Sequence, residues 1–178
     1  MADVLDHLIE EHRKVEQLLA RLKESEPGSE RHGLFDELRS SLATHMAVEE
    51  RFVYPLMAEH LGEDESADAT DEHELARAGL AEAAKRLEEG AFEAAIDILE
   101  AGIGHHVEEE ESDQFPALRE KAGPQLAAMD PDELEAAVEG GDDGGETRDE
   151  LYQEAKEAGI EGRSKMDKQE LTEALGKT

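Results

Sequence analysis

The chain repeats itself. A shift of 61 residues lays His12 on His73, His45 on His106, Glu49 on Glu110, Glu50 on Glu111, Tyr54 on Phe115 and Pro55 on Pro116. A fold that accommodates this repeat must build two like halves and give the matching polar residues equivalent places in each. The breakers Pro27-Gly28, Gly62, Gly90 and Gly123-Pro124 divide the first part of the chain into four segments, each long enough to be a helix.

Every segment carries a stripe spaced by three and four residues. The first runs Leu5, Leu8, His12, Val15, Leu19, Leu22 and the second Leu34, Leu38, Leu42, His45, Glu49, Phe52, Leu56. The third runs His73, Ala76, Leu80, Ala83, Leu87 and the fourth Phe92, Leu99, Ile103, His106, Glu110. That spacing gives a helix one buried face. Four such helices with short connections predict an all-α, up-down-up-down four-helix bundle made of two helix-hairpin repeats, over 1–125. Asp130-Pro131, with Glu133 placed for a capping box, starts a shorter helix. "GGDDGGE" at 140–146 reads as an acidic, Gly-rich linker, so 126–146 joins the bundle to a small separate module at 147–178.

The repeat also sorts the eight histidines. It pairs His12, His45, His73 and His106 with one another, whereas His7, His32, His60 and His105 fall opposite other residue types and are expected on the surface. Residues i and i+4 share a helix face, so His45 points with Glu49 and His106 with Glu110. Glu50 and Glu111 are turned away from these histidines and read as surface charges or outer partners of the site.

A lone histidine on an apolar helix face is ordinarily a hydrogen-bonded core residue, and among 48 acidic residues an HxxxE match arises easily by chance. Two matches in register with two further histidines at an equal offset do not. Four imidazoles and two carboxylates in one bundle core, with only Arg77 as a nearby cation, would be poorly solvated unless something positive sat between them. A pair of divalent cations satisfies them. Two octahedral ions need about twelve coordination positions, which four rings, two bridging carboxylates, a solvent-derived bridge and one or two open positions supply. Imidazole with carboxylate suits iron or manganese better than calcium.

Charge and composition narrow the partners. The net charge of -30 repels nucleic acid and anionic lipid and suits a cell with high internal salt, where self-repulsion is screened. With no Cys, disulfides and thiolate metal sites are excluded. "MADVLDHLIEEH" lacks the pattern of a secretion signal, and no stretch approaches the roughly 18 apolar residues of a membrane span. The expectation is a cytoplasmic protein with no membrane partner.

His, HxxxE, His and HxxxE on four successive helices, each second helix continuing as E-x4-[YF]-P, resemble the hemerythrin-like HHE cation-binding family over roughly 1–125. The resemblance implies a non-haem di-iron centre, bridged by two carboxylates, that binds dioxygen or a related small ligand such as nitric oxide or peroxide. Carried over by position, its ligands are His12, His45, Glu49, His73, His106 and Glu110. Oxygen-carrying hemerythrins have a second His one turn after the third-helix ligand, and Arg77 stands there instead. One iron is then short of a protein ligand, which leaves an extra exchangeable position or recruits another carboxylate. The reading is a binding protein for sensing or for iron and oxygen handling rather than an enzyme. The alternative is a di-iron oxidoreductase acting on peroxide or oxygen, for which the sequence offers no substrate cleft or positioned acid.

The segment "TRDELYQEAKEAGIEGRSKMDKQELTEAL" has capping boxes at Thr147 with Glu150 and at Asp167 with Glu170, separated by Gly159. It resembles the small helix-loop-helix domain at the N-terminus of transcription terminator Rho, with "GIEGRSKMDKQEL" as the matching core. That implies a docking or adaptor role. Acidic residues outnumber basic ones in the module, and only Arg163, Lys165 and Lys168 form a basic patch, so a protein partner is expected over nucleic acid.

Overall fold

The computed structural model describes residues 3–139, together with 160, 174 and 175. Apart from those last three positions, the module expected at 147–178 to resemble the Rho domain, with Arg163, Lys165 and Lys168, lies outside the described residues, as does the linker over 140–146.

All regular structure among the described residues is helical: α1 (Val4–Glu24), α2 (Ser29–Val48), α3 (Tyr54–His60), α4 (Glu63–Ala84), α5 (Phe92–Glu109), α6 (Phe115–Leu126) and α7 (Pro131–Glu139). A single π-helical turn, Glu49–Val53, joins α2 to α3, and another, Glu110–Gln114, joins α5 to α6. The bundle therefore has four long rods: α1, α2 running into α3, α4, and α5 running into α6. Neighbouring rods touch as the repeat requires, with α1 against α2 and α5, and α4 against α3 and α5.

The ends follow local chemistry. Asp3 caps α1 by accepting the Asp6 N–H at 3.0 Å, while Asp6 accepts the Asp3 N–H at 3.1 Å, and the Arg119 guanidinium of α6 bonds both carboxylates. Gly28 and Gly62 precede α2 and α4 with φ of 136° and 132°, a backbone conformation that side-chain-bearing residues rarely adopt.

The two π turns sit at matching places in the repeat. Pro55 and Pro116 each follow a π turn by two residues. In a continuous α-helix their rings would clash with the carbonyl four residues earlier, Arg51 or Ser112, and widening the turn moves that carbonyl aside. The distortion that each proline imposes is thus taken up as an extra residue per turn, directly at the two glutamates of the motif. The break expected at Gly123-Pro124 is present as a kink: Ala122, just before it, leaves helical geometry at φ -122° and ψ 15°, and a further helical turn runs on to Leu126.

Two apolar clusters fill the interior. One is built on Val15, Leu19, Leu22, Leu38, Ile96 and Leu99, the other on Leu5, Leu8, Val53, Met57, Phe115 and Leu118. In α1 the buried His12 falls between Leu8 of one cluster and Val15 of the other, so the polar residues form a layer with hydrocarbon on both sides. Helix α7 joins the second cluster through Val138, Arg51 donates to the Ala137 carbonyl at 3.0 Å, and His7 meets Glu135 at 2.5 Å. Of the four histidines expected on the surface, His32 and His105 are exposed; His7 and His60 are half-buried, His7 because α7 covers it.

Candidate metal centre

His12 on α1, His45 on α2, His73 on α4 and His106 on α5 converge in the polar layer, all buried. They form two pairs. Nε2 of His12 lies 3.1 Å from Nε2 of His45, and Nε2 of His73 lies 3.1 Å from Nε2 of His106. Ring centroids are 4.8 and 4.7 Å apart, with the same interplanar angle of 67°. The internal repeat is therefore carried through to the atoms of the site.

Each outward ring nitrogen meets a carboxylate. Nδ1 of His12 is 2.9 Å from Glu111, that of His45 3.1 Å from Glu11, that of His73 2.9 Å from Glu50 and that of His106 2.9 Å from Glu72. An ionised carboxylate only accepts, so each Nδ1 carries the proton and each Nε2 directs a lone pair inward. Two lone pairs facing each other at 3.1 Å repel, and something positive belongs between them. Without a metal a proton serves at one pair. Burial opposes charge on His12, but the close approach of Glu110, 3.4 Å from Nε2, and the charges of Glu49 and Glu110 outweigh burial and raise its pKa; His45, buried and facing His12, is held well below the usual imidazole range.

Glu49 and Glu110, both at 0% exposure, span the pairs. Glu49 Oε2 lies 3.2 Å from Nε2 of His45 and 3.2 Å from Nε2 of His73, one ring of each pair. Glu110 Oε2 lies 3.4 and 3.5 Å from Nε2 of His12 and His106, the other two rings. Neither oxygen of Glu49 accepts a hydrogen bond, nor does Oε2 of Glu110. Burial, together with the facing charge of Glu110, pushes the Glu49 carboxyl well above the usual range, because the two cannot both be ionised cheaply so far from water. Orphaned carboxylate oxygens beside inward imidazole lone pairs are a donor set that one or two cations satisfy and that the protein alone does not. Two groups of donors close enough to share an ion result, His12, His45, Glu49 and Glu110 in one, Glu49, His73 and His106 in the other.

The six ligand candidates named from sequence are thus brought together. Glu50 and Glu111, for which spacing left a surface charge or an outer partner of the site open, meet the rings of His73 and His12. Arg77 points away from the centre and bonds Glu50 at 2.7 Å, while Arg13 does the same for Glu111. Glu11 and Glu72 were not singled out. They also stand 61 apart, each immediately before a histidine of the motif, and that equal offset was the available signal. Tyr54, which the repeat sets opposite Phe115, also reaches the site: its hydroxyl lies 2.9 Å from Nε2 of His73 and 3.3 Å from Glu110 Oε1.

Beside the four rings is a cavity of about 20 Å³ walled by Val15, Leu42, Met46, Ala76, Ile103 and Val107. That is room for a molecule about the size of water, and its walls offer no hydrogen-bonding group beyond the site itself. No described helix is long and apolar enough to cross a membrane.

A family model described as the hemerythrin HHE cation binding domain matches residues 3–118. Among solved structures, a hemerythrin HHE cation binding domain-containing protein from Mycobacterium kansasii superposes with a TM-score of 0.60 at 23% identity, covering 98% of this chain and 100% of that one. At that identity the likeness is one of fold. No curated protein matches the chain.

Proposed function

The chain belongs to the hemerythrin HHE cation-binding domain family, a family of metal-binding helical domains, and from that premise we propose that it holds two iron ions and reversibly binds dioxygen or a related small ligand. The observation that supports this best is the pairing of orphaned, fully buried carboxylate oxygens on Glu49 and Glu110 with four inward imidazole nitrogens. His12, His45, Glu49 and Glu110 would hold one ion, and His73, His106 and the same two glutamates the other. Mixed imidazole and carboxylate donors suit iron, with manganese the other ion that fits.

Iron at such a site supplies one electron per ion toward a bound diatomic molecule. What the chain supplies is the setting. Glu11, Glu50, Glu72 and Glu111 fix each ring's tautomer and direction and raise its basicity. The apolar cavity admits a small uncharged ligand while offering no groups to orient a larger substrate. This favours a binding role in sensing or in iron and oxygen handling. The module at 147–178 would then pass that state to a protein partner.

The test is metal analysis of full-length protein purified and iron-loaded without oxygen, with optical spectra before and after air and after its removal. About two irons per chain and a reversible charge-transfer band are expected. A fully folded chain that takes up no iron defeats the reading, and steady consumption of peroxide would move it to the oxidoreductase class.

A further inference from the structure

The two halves of the site are not equivalent: one carries a hydroxyl that the other lacks. The internal repeat sets Tyr54 against Phe115, both buried to 2% or less. Phe115 stacks on His12 with ring centroids 6.1 Å apart. Tyr54 stacks on His73 at 5.2 Å, and its hydroxyl reaches past the ring to 2.9 Å from Nε2 and 3.3 Å from Glu110 Oε1. One imidazole pair thus faces a hydrocarbon edge and the other a phenol oxygen.

We propose that Tyr54 is a seventh protein ligand, its phenol oxygen coordinating the cation held by His73 and His106. The proposal rests on the metal-site reading above. Two donors at right angles on an ion with bonds of about 2.1 Å lie about 3 Å apart. The Tyr54 oxygen stands at that separation from His73 Nε2 and Glu110, as the nitrogens and carboxylate oxygens of the site do from one another. It also adds a donor where the side chains are drawn together less tightly, three of them close enough to share an ion on this side and four on the other. Arg77, at the place where a fifth histidine would complete this half, is engaged with Glu50 instead.

The π turn explains how Tyr54 arrives there. Its backbone N–H bonds the carbonyl of Glu49, five residues back, so the widened turn stacks Tyr54 over Glu49 on the site-facing side. When the oxygen–cation bond forms, the hydroxyl proton leaves to solvent, as it does from other acidic groups bound to a metal.

The full chain is loaded with iron(II) without oxygen, oxidised to iron(III) with ferricyanide, and examined by metal analysis and resonance Raman spectroscopy. Expected is a phenolate-to-iron(III) absorption band that enhances tyrosine ring vibrations, lost completely in Tyr54→Phe with iron still bound. The chain has two tyrosines, 54 and 152. Should Tyr54→Phe fail to fold, ring-deuterated tyrosine in a Tyr152→Phe background assigns the vibrations to Tyr54 if they shift. Iron-loaded protein without tyrosine vibrations, or with vibrations that survive in Tyr54→Phe, overturns the ligation and leaves the six-ligand site standing. A chain that binds no iron removes both.

Discussion

Glu111 Oε1 lies 2.9 Å from Nδ1 of His12, a contact that closes 99 residues of chain. It ties the last rod of the bundle to the first and fixes the ring so that its other nitrogen faces inward. Replacement by Gln keeps the shape but removes the charge and weakens the acceptor. Glu111→Gln is expected to lower cation affinity about 10- to 100-fold, measured by competition with a chelator of known affinity. The exposed Glu108→Gln serves as control and is expected to change nothing.

Glu49 is held for binding at the expense of the metal-free fold. Its two oxygens accept no hydrogen bond at 0% exposure, whereas an amide there could donate to the neighbouring imidazole nitrogens. Glu49→Gln is expected to stabilise the metal-free chain by about 1–3 kcal/mol in urea denaturation, while iron content drops. A metal-free variant that is less stable than the parent would contradict this account.

Ala76 borders the small cavity. Ala76→Leu puts three extra carbons where a ligand would sit, without touching a donor atom. Azide binding to the iron-loaded chain, followed by optical titration, is expected to weaken by at least about tenfold, roughly 1.4 kcal/mol, with iron content unchanged. Overpacking is expected to cost the fold about 1–3 kcal/mol.

Asp3 offers a test by pH. The Arg119 hydrogen bonds hold its carboxyl below the ordinary aspartate value of 3.8, against the opposing effect of partial burial, with help from the Asp6 N–H. A carboxyl depressed in the folded state contributes stability above its unfolded pKa, and that contribution is lost as pH falls through the folded value. Asp3→Ala is therefore expected to cost about 1 kcal/mol at neutral pH, with the gap to the parent narrowing below pH 3.8. Denaturation of both metal-free proteins at matched ionic strength, at neutral pH and near pH 3, checks it.

Much of the site was legible because a helix is periodic. His45 and Glu49, and likewise His106 and Glu110, share a face by spacing alone, and the offset of 61 picked His12 and His73 out of the eight histidines. Helix α7 was legible as a helix from Asp130-Pro131, but not its seat on the bundle, since one buried Val138 leaves no periodic trace. Spacing shows that Glu50 turns away from His45, but not that the direction it takes ends on His73 of the next rod.

Four amphipathic rods in two matched halves, with six polar residues on their buried faces, follow from residue order alone, because both depend only on the regular rise and turn of an α-helix. Tertiary structure decided the rest. Which carboxylate meets which imidazole depends on how the rods are rotated and staggered against one another, a matter of packing that no spacing within one rod encodes. The π turns after Val48 and Glu109 shift the helical register by a residue, and that shift carries Tyr54 from an ordinary core position to within 2.9 Å of His73.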